Sequence, residues 1–235
     1  MNQAVLIPER IVSLKIFAHK LRKYAPLFYK FIFLELRHLF FKKYCNASNL
    51  NVVYSDGSWL NRKSTSDSLA IENYLVNNID LVRERSILHV GIGNGELTQF
   101  LLFSKPSSLH GLTIIEEEHT NASSFSRKHT IKECKYFLQN KYSLNAENNE
   151  KKYNIIIDND LAGYACCKTH FRSLIKYYYK SLSSGGLLIT GERGLLYFDN
   201  GFGINQRLQD HYLKSYFTHI KTTSLGCVIF RKNGV

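Results

Sequence analysis

The sequence is poor in the residue spacings that mark metal sites and disulfide frameworks. Its five cysteines are an odd number, with Cys166 and Cys167 adjacent, and it contains no C-x-x-C or H-x-x-x-H pair. Structural zinc sites draw on such closely spaced ligands, and disulfide frameworks use even sets of cysteines. We therefore expect no bound metal, and reduced thiols in a cytoplasmic protein.

Long apolar runs are also missing. The longest candidate, residues 25–41, is interrupted by Lys30, Glu35 and Arg37, whereas a membrane-spanning helix needs about 18 apolar residues or more. The first ten residues lack the apolar run of a secretory signal. We expect a cytoplasmic protein, with peripheral contact to the inner face of a membrane as an open possibility.

Several enzyme signatures are absent too. The sequence has no G-x-x-x-x-G-K-[ST] phosphate loop, no H-E-x-x-H zinc motif and no Ser/His/Asp order typical of hydrolases. It has no internal repeat and no low-complexity tract. With 44% hydrophobic residues, however, the chain has enough apolar side chains to form a sizeable core.

What the chain does have is positive charge, concentrated near its amino terminus. Residues 1–45 hold nine of the 31 Lys and Arg residues and nine aromatic residues, against only Glu9 and Glu35. We predict two domains: a basic, aromatic-rich helical extension with a loop over residues 1–68, and an α/β domain over 69–235. The extension fits either a lid that packs on the domain or a segment that lies on an anionic membrane surface.

From Ser86 onward the hydrophobic pattern alternates between strands and helices, which is typical of a doubly wound parallel sheet. Two final strands are separated by only Leu225 and Gly226, a connection that allows antiparallel pairing alone. The predicted strands cover 87–90, 109–115, 135–138, 153–157, 187–190, 219–224 and 227–231, and the predicted helices cover 66–82, 96–103, 119–129, 169–182 and 205–216.

A glycine-rich turn follows the first of these strands and precedes a helix. It reads Gly91-Ile92-Gly93-Asn94-Gly95. Glycines let a backbone approach a ligand closely, and the start of a helix offers unpaired N–H groups. The turn predicts a site for a nucleotide-type cofactor, and by itself it would also suit a nicotinamide enzyme.

Three later motifs narrow this prediction. They are Gly111-Leu112-Thr113-Ile114-Ile115-Glu116, Tyr153-Asn154-Ile155-Ile156-Ile157-Asp158 and Leu182-Ser183-Ser184-Gly185-Gly186-Leu187-Leu188-Ile189. These motifs follow the glycine turn in this order. Because of them, the chain over Ser86–Lys232 resembles a divergent member of the class I S-adenosylmethionine (SAM)-dependent methyltransferases. The resemblance implies a seven-stranded, mostly parallel, Rossmann-like sheet with an antiparallel carboxyl-terminal hairpin, and SAM as cofactor.

The chain departs from the family pattern at three expected carboxylates. His89 stands where members carry an acid before the glycines, Thr113 stands at the ribose-binding end of the second strand, and Asn140 stands where an acid meets the adenine amine. Glu116, or one of its neighbours Glu117 and Glu118, could replace the ribose ligand. A lost charge-assisted hydrogen bond is worth about 1.5–3 kcal/mol, so the pattern fits either an altered active site or a site that no longer binds.

The resemblance therefore implies the following site. Asp158 is the predicted catalytic base at the end of the fourth strand, His170 is a second candidate, and Trp59 and Glu192 could line the pocket. Asn94 fits a helix cap as well as a cofactor ligand, and His89 fits a core histidine as well. The predicted cofactor residues are His89, Gly91, Ile92, Gly93, Asn94, Gly95, Thr113, Glu116, Asn140 and Asp158.

Three functions remain open at this point. The first is SAM-dependent methylation, at oxygen, of a small molecule or of a glycan- or lipid-linked intermediate. The second is methylation of nucleic acid, which the positive charge favours. Against it, the stretch Asn159-Asp160-Leu161-Ala162 contains no DPPY- or NPPF-like run. The third is a degenerate methyltransferase fold that binds or scaffolds without catalysis.

Overall fold

The computed structural model describes residues 59–145, 151–162, 168–195 and 211–234. The helices predicted within residues 1–45 and the following loop up to residue 58 lie outside the described residues. Most of the helix predicted over 205–216 also lies outside them, although residues 211–214 are helical.

One seven-stranded sheet organises the described chain, in the order β3-β2-β1-β4-β5-β7-β6. The strands β1 to β5 pair in parallel, and β7 runs antiparallel to both of its neighbours. The predicted fold class and the predicted antiparallel hairpin are therefore confirmed. The strand bounds are β1 Ser86–Val90, β2 Ser108–Thr113, β3 Glu133–Leu138, β4 Tyr153–Asp158, β5 Leu182–Gly191, β6 Phe217–Thr222 and β7 Cys227–Lys232.

Helices cover both faces of this sheet, which is why its central strands are nearly continuous apolar runs. On one face, Ile155 and Ile157 of β4 are buried together with residues of the first two helices. On the other face, Ile156 is buried together with Phe171 and Tyr178 of the fourth helix. The helices are α1 Ser66–Val76, α2 Glu96–Phe103, α3 Glu116–Ser126, α4 Lys168–Ser181 and the single turn α5 Glu192–Leu195.

Several element boundaries differ from the prediction. The helix predicted over 66–82 ends at Val76, and a separate 3₁₀ turn covers Ile79–Leu81. Helix α3 begins at Glu116, three residues earlier than predicted, so the three consecutive glutamates form its first turn. Strand β5 already begins at Leu182, five residues before the predicted start at 187.

Helix α1 is anchored against the end of β5 by a buried carboxylate. Asp67 accepts a hydrogen bond from the backbone N–H of Gly194 at 2.7 Å. A Cβ atom at Gly191 would lie 2.1 Å from the same Asp67 carboxylate. Glycine at 191 is thus what lets α1 approach the sheet, and this approach places residues 59–68 beside the carboxyl ends of the strands.

Among the helices of the described ranges, none combines the length and the apolar composition that crossing a bilayer requires.

Candidate functional site

A cavity of about 550 Å³ opens at the carboxyl ends of β1 to β5. Ligands in open α/β sheets bind at this edge, and small-molecule sites commonly measure roughly 300–1,000 Å³. Its walls come from the residues after each of these strands and from the segment that leads into α1. The residues that line the cavity include Trp59, His89, Gly91, Ile92, Gly93, Asn94, Thr113, Glu118, Gln139, Asn140, Lys141, Asp158, Asn159, Asp160, Arg193 and Gly194.

The glycine turn forms the floor of this cavity. Gly91, Gly93 and Gly95 all have positive φ angles, of 77°, 60° and 82°, which residues with a Cβ rarely adopt. A Cβ at Gly91 would lie 3.4 Å from the Asn159 side chain, whereas Gly93 and Gly95 have no neighbour closer than 3.9 Å. The turn therefore leaves open space above its backbone, as the sequence predicted for a cofactor loop.

Asn94 has a clear structural role within this turn. Its side-chain oxygen accepts from the backbone N–H of Glu96, the first residue of α2, at 3.2 Å. Its side-chain nitrogen donates to the Arg62 carbonyl at 3.2 Å and to the Ser64 hydroxyl at 3.0 Å. Asn94 thus joins the glycine turn to the segment that covers the cavity.

A buried glutamate faces the cavity at the end of β2. Glu118 is 3% exposed, and it accepts hydrogen bonds from the Thr113 hydroxyl at 2.7 Å and from the backbone N–H of Trp59 at 3.1 Å. Glu116, the first choice from sequence, is exposed and does not line the cavity. Of the three neighbouring acids, Glu118 is the one that lines the cavity.

The polar residues after β3 occupy the same side of the cavity. The Asn140 side chain accepts from the backbone N–H of Tyr142 at 2.9 Å and caps a short 3₁₀ turn, Lys141–Ser143. Gln139 lies beside it, with its side-chain nitrogen donating to the Ser143 hydroxyl at 3.1 Å. Asn140 therefore lines the cavity with its side-chain oxygen already engaged, and its role as a cofactor residue stays a prediction.

His89 is buried beneath the glycine turn. It is 1% exposed, and its Nδ1 is hydrogen-bonded to the Thr98 hydroxyl at 3.0 Å. Burial lowers the pKa of His89 to about 4. The ring is consequently neutral at pH 7, so this position adds no charge to the cavity that it lines.

The buried neutral state of His89 makes stability depend on pH. The histidine pKa is 6.5 when unperturbed and about 4 in the folded chain, so the unfolded chain binds an extra proton between these values and stability falls as the pH falls. The loss amounts to about 3 kcal/mol. Urea unfolding at about pH 7 and about pH 4 gives the difference in unfolding free energy between the two pH values. We expect His89→Asn to remove most of the part of this difference that His89 causes. An unchanged difference between the two pH values would contradict this assignment.

The Asp158 carboxylate accepts four hydrogen bonds at the site. Lys141 Nζ donates to its two carboxylate oxygens at 3.2 and 3.0 Å, and the Tyr178 hydroxyl donates to Oδ2 at 2.8 Å. The backbone N–H of Asp160 adds a fourth hydrogen bond at 3.2 Å. These bonds hold the carboxylate between the turn after β3 and the end of β4. No motif in the sequence predicted Lys141 as its partner.

The other predicted residues lie elsewhere. Gly95 caps the start of α2 without lining the cavity, and His170 is on α4, also outside the lining. Glu192 is exposed and does not line the cavity either, whereas the next residue, Arg193, does. Within the described ranges there is no group of three or more acidic, histidine or cysteine side chains that could hold a metal ion.

The strand order, the glycine turn after β1 and the cavity at the strand ends together define the class I methyltransferase fold. Solved structures with this fold are similar over most of the chain. The N-methyltransferase NodS from Bradyrhizobium japonicum WM9, in complex with S-adenosyl-L-homocysteine (SAH), has a TM-score of 0.59 at 15% identity, covering 78% of this chain and 95% of that one.

Two further structures agree with this assignment. Magnesium protoporphyrin IX methyltransferase (ChlM) from Synechocystis PCC 6803 with bound SAM has a TM-score of 0.53 at 15% identity, covering 83% of this chain and 96% of that one. A SAM-dependent methyltransferase from Clostridium acetobutylicum ATCC 824 has a TM-score of 0.55 at 15% identity, covering 74% and 94%. No family model matches the sequence, and no curated protein matches it. The similarity is one of fold.

Proposed function

We propose that this protein is a SAM-dependent methyltransferase that methylates an oxygen of a small polar acceptor, such as a sugar or a lipid-linked intermediate. The observation that carries the proposal is the single cavity of about 550 Å³ that joins the glycine turn to polar groups at the ends of β2, β3 and β4. SAM supplies an activated methyl group on a sulfonium, so the protein chiefly has to hold and align the reactants.

The residues around the cavity fit this cofactor. The open backbone at Gly93 suits its amino acid end, because no side chain fills the space above the turn. Glu118 is buried with its carboxylate at the cavity wall and suits the two ribose hydroxyls, and Asn140 and Gln139 are the polar groups nearest to an adenine on the β3 side.

The test uses Trp59, the only tryptophan of the chain. Trp59 lines the cavity, and its backbone N–H is bonded to Glu118. Titration of the full chain with SAM and with SAH should change its fluorescence in a saturable way, with isothermal calorimetry giving the same dissociation constants. Absence of both signals at high ligand concentration would refute the proposal and favour a scaffold role.

Glu118 provides the matching variant. We expect Glu118→Gln to weaken SAH binding about 10-fold or more, because the loss of a charged hydrogen-bond acceptor costs about 1.5–3 kcal/mol. Glu116→Gln is the control, since Glu116 is exposed and lies outside the cavity lining. Equal affinities of the two variants in the same fluorescence titration would argue against Glu118 as the ribose ligand.

A further inference from the structure

Two aspartates at the end of β4 have contrasting environments. Asp158 is 1% exposed, and its carboxylate accepts hydrogen bonds from Lys141, from the Tyr178 hydroxyl and from a backbone N–H. Its charge is balanced and both of its oxygens are engaged. Each oxygen of this carboxylate already accepts two hydrogen bonds, so neither has a lone pair left for the proton of a methyl acceptor.

Asp160 has none of these partners. Its side chain is half-buried and lines the cavity. Lys141 Nζ donates to the Asp160 backbone carbonyl and not to its carboxylate. Within the described part of the chain, no side chain or backbone group donates a hydrogen bond to the Asp160 carboxylate. A carboxylate that faces a cavity without a donor has its lone pairs available to a ligand.

Charged residues from four elements line the cavity together with Asp160. Lys141, after β3, favours the ionised form, whereas Asp158 on β4 and Asp67 on α1 oppose it, and Arg193 of α5 lines the same cavity. Burial is the largest influence, and together these effects raise the pKa of Asp160 to about 6. A carboxyl group that titrates near neutral pH is suited to proton transfer.

Asp160 is also close to the cofactor turn. Strands β1 and β4 are neighbours, with Val90 paired to Asp158. The turn that follows β1 and the residues that follow β4 therefore lie side by side, and a Cβ at Gly91 would come within 3.4 Å of the Asn159 side chain. A group held by the glycine turn and an acceptor beside Asp160 would occupy adjacent parts of one cavity.

Resting on the proposed function, we propose that Asp160, and not Asp158, is the base that removes the proton from the methyl acceptor. The Asp160 carboxylate takes the hydroxyl proton while the acceptor oxygen uses an electron pair to form its bond to the methyl carbon. The electron pair of the broken carbon–sulfur bond remains on sulfur, so the positive charge of the sulfonium is neutralised as the proton reaches Asp160. Lys141 and Asp158 position the loop that carries this base.

The first test follows the ionisation of Asp160 without any acceptor. Protein labelled with ¹³C at the aspartate carboxyl carbons is titrated by NMR in the presence of saturating SAH, and Asp160→Asn identifies the resonance. We expect a resonance with a midpoint near pH 6 that is absent from the variant. A midpoint at the ordinary aspartate value of about 4 overturns the inference.

The second test measures transfer. Wild type, Asp160→Asn and Asp160→Glu are incubated with [methyl-¹⁴C]SAM and with catechol, N-acetylglucosamine or glycerol as probe acceptors. Loss of a general base costs about 10²–10⁴-fold in rate, so we expect Asp160→Asn to lose about 100-fold or more while its SAH affinity stays within about twofold. Asp160→Glu should recover part of the rate, and the wild-type rate should rise with pH through about 6.

The outcomes separate the inference from the function on which it rests. If wild type fails to bind SAM and SAH, the proposed function is wrong. If it binds them and Asp160→Asn transfers methyl groups at the wild-type rate, only the role of Asp160 is wrong. If no probe acceptor is methylated, the NMR titration alone decides the role of Asp160. A midpoint near pH 6 supports that role, and a midpoint of about 4 overturns it.

Discussion

Replacing Lys141 by methionine should destabilise the fold by about 3–5 kcal/mol, because it would leave a buried carboxylate without its counter-charge. The Lys141 and Asp158 side chains are 12% and 2% exposed, and their charged atoms are 3.0 Å apart. Tyr178 would still donate a hydrogen bond to Asp158, but it carries no charge. Urea unfolding at pH 7, followed by circular dichroism, measures the difference.

Two further variants show whether the ion pair is the cause. Lys135→Met removes a cation that is 62% exposed and 3.6 Å from Glu133, and solvent-exposed pairs contribute about 0–1 kcal/mol. The double variant Lys141→Met with Asp158→Asn should regain much of the lost stability, since no uncompensated charge remains. Equal losses in Lys141→Met and Lys135→Met would contradict the importance that we assign to the buried pair.

The sequence predicted those features that depend on neighbours in the chain. The apolar run of β4 and the glycines at 91, 93 and 95 are local patterns, and each has one dominant physical explanation: burial on both faces of a sheet, and backbone angles that other residues rarely adopt. The parallel sheet and the position of the cavity follow from these patterns. The antiparallel hairpin follows from the short connection of Leu225 and Gly226. All three were therefore predictable.

The identity of the carboxylate near β2 was harder to predict. Glu116, Glu117 and Glu118 are equivalent in composition, and only the start of α3 decides which of them is turned toward the cavity. The helix begins at Glu116, and Glu118 is then bonded to Thr113 and to the backbone of Trp59. Helix starts are poorly defined by sequence because several adjacent residues can serve as the cap.

The environment of the two aspartates could not be predicted at all. The ion pair of Lys141 with Asp158 joins the 3₁₀ turn after β3 to the last residue of β4, and β2 and β1 lie between these two strands in the sheet. Neither periodicity nor spacing indicates it. Asp158 was the predicted base because it ends the strand, yet its bonding leaves Asp160 as the group that faces the cavity without a donor. The helical extension predicted for residues 1–45 and its contact with a membrane surface remain predictions.

The backbone approach at Gly194 gives the other large expected effect. A Cβ at this position would lie 2.1 Å from the Asn159 carbonyl oxygen and 2.8 Å from the Asp160 Cα. Both atoms belong to the backbone, so no side-chain rotation relieves the overlap. Gly194→Ala must therefore displace either α5 or the loop that carries Asn159 and Asp160, and overpacking of this kind costs about 1–3 kcal/mol or somewhat more.

The same substitution should also lower activity. A displacement of about 1 Å at reacting groups can reduce a rate about 100-fold, and we expect a loss of this size for Gly194→Ala in the methyl-transfer assay, with weaker SAH binding in the Trp59 titration. Gly234→Ala is the control, because a Cβ there has no neighbour within 4 Å. If both variants bind SAH and transfer methyl groups equally well, α5 does not set the position of Asp160. The close contact between α5 and the β4 loop would then be packing alone, since an active site that depended on it would not tolerate the extra carbon.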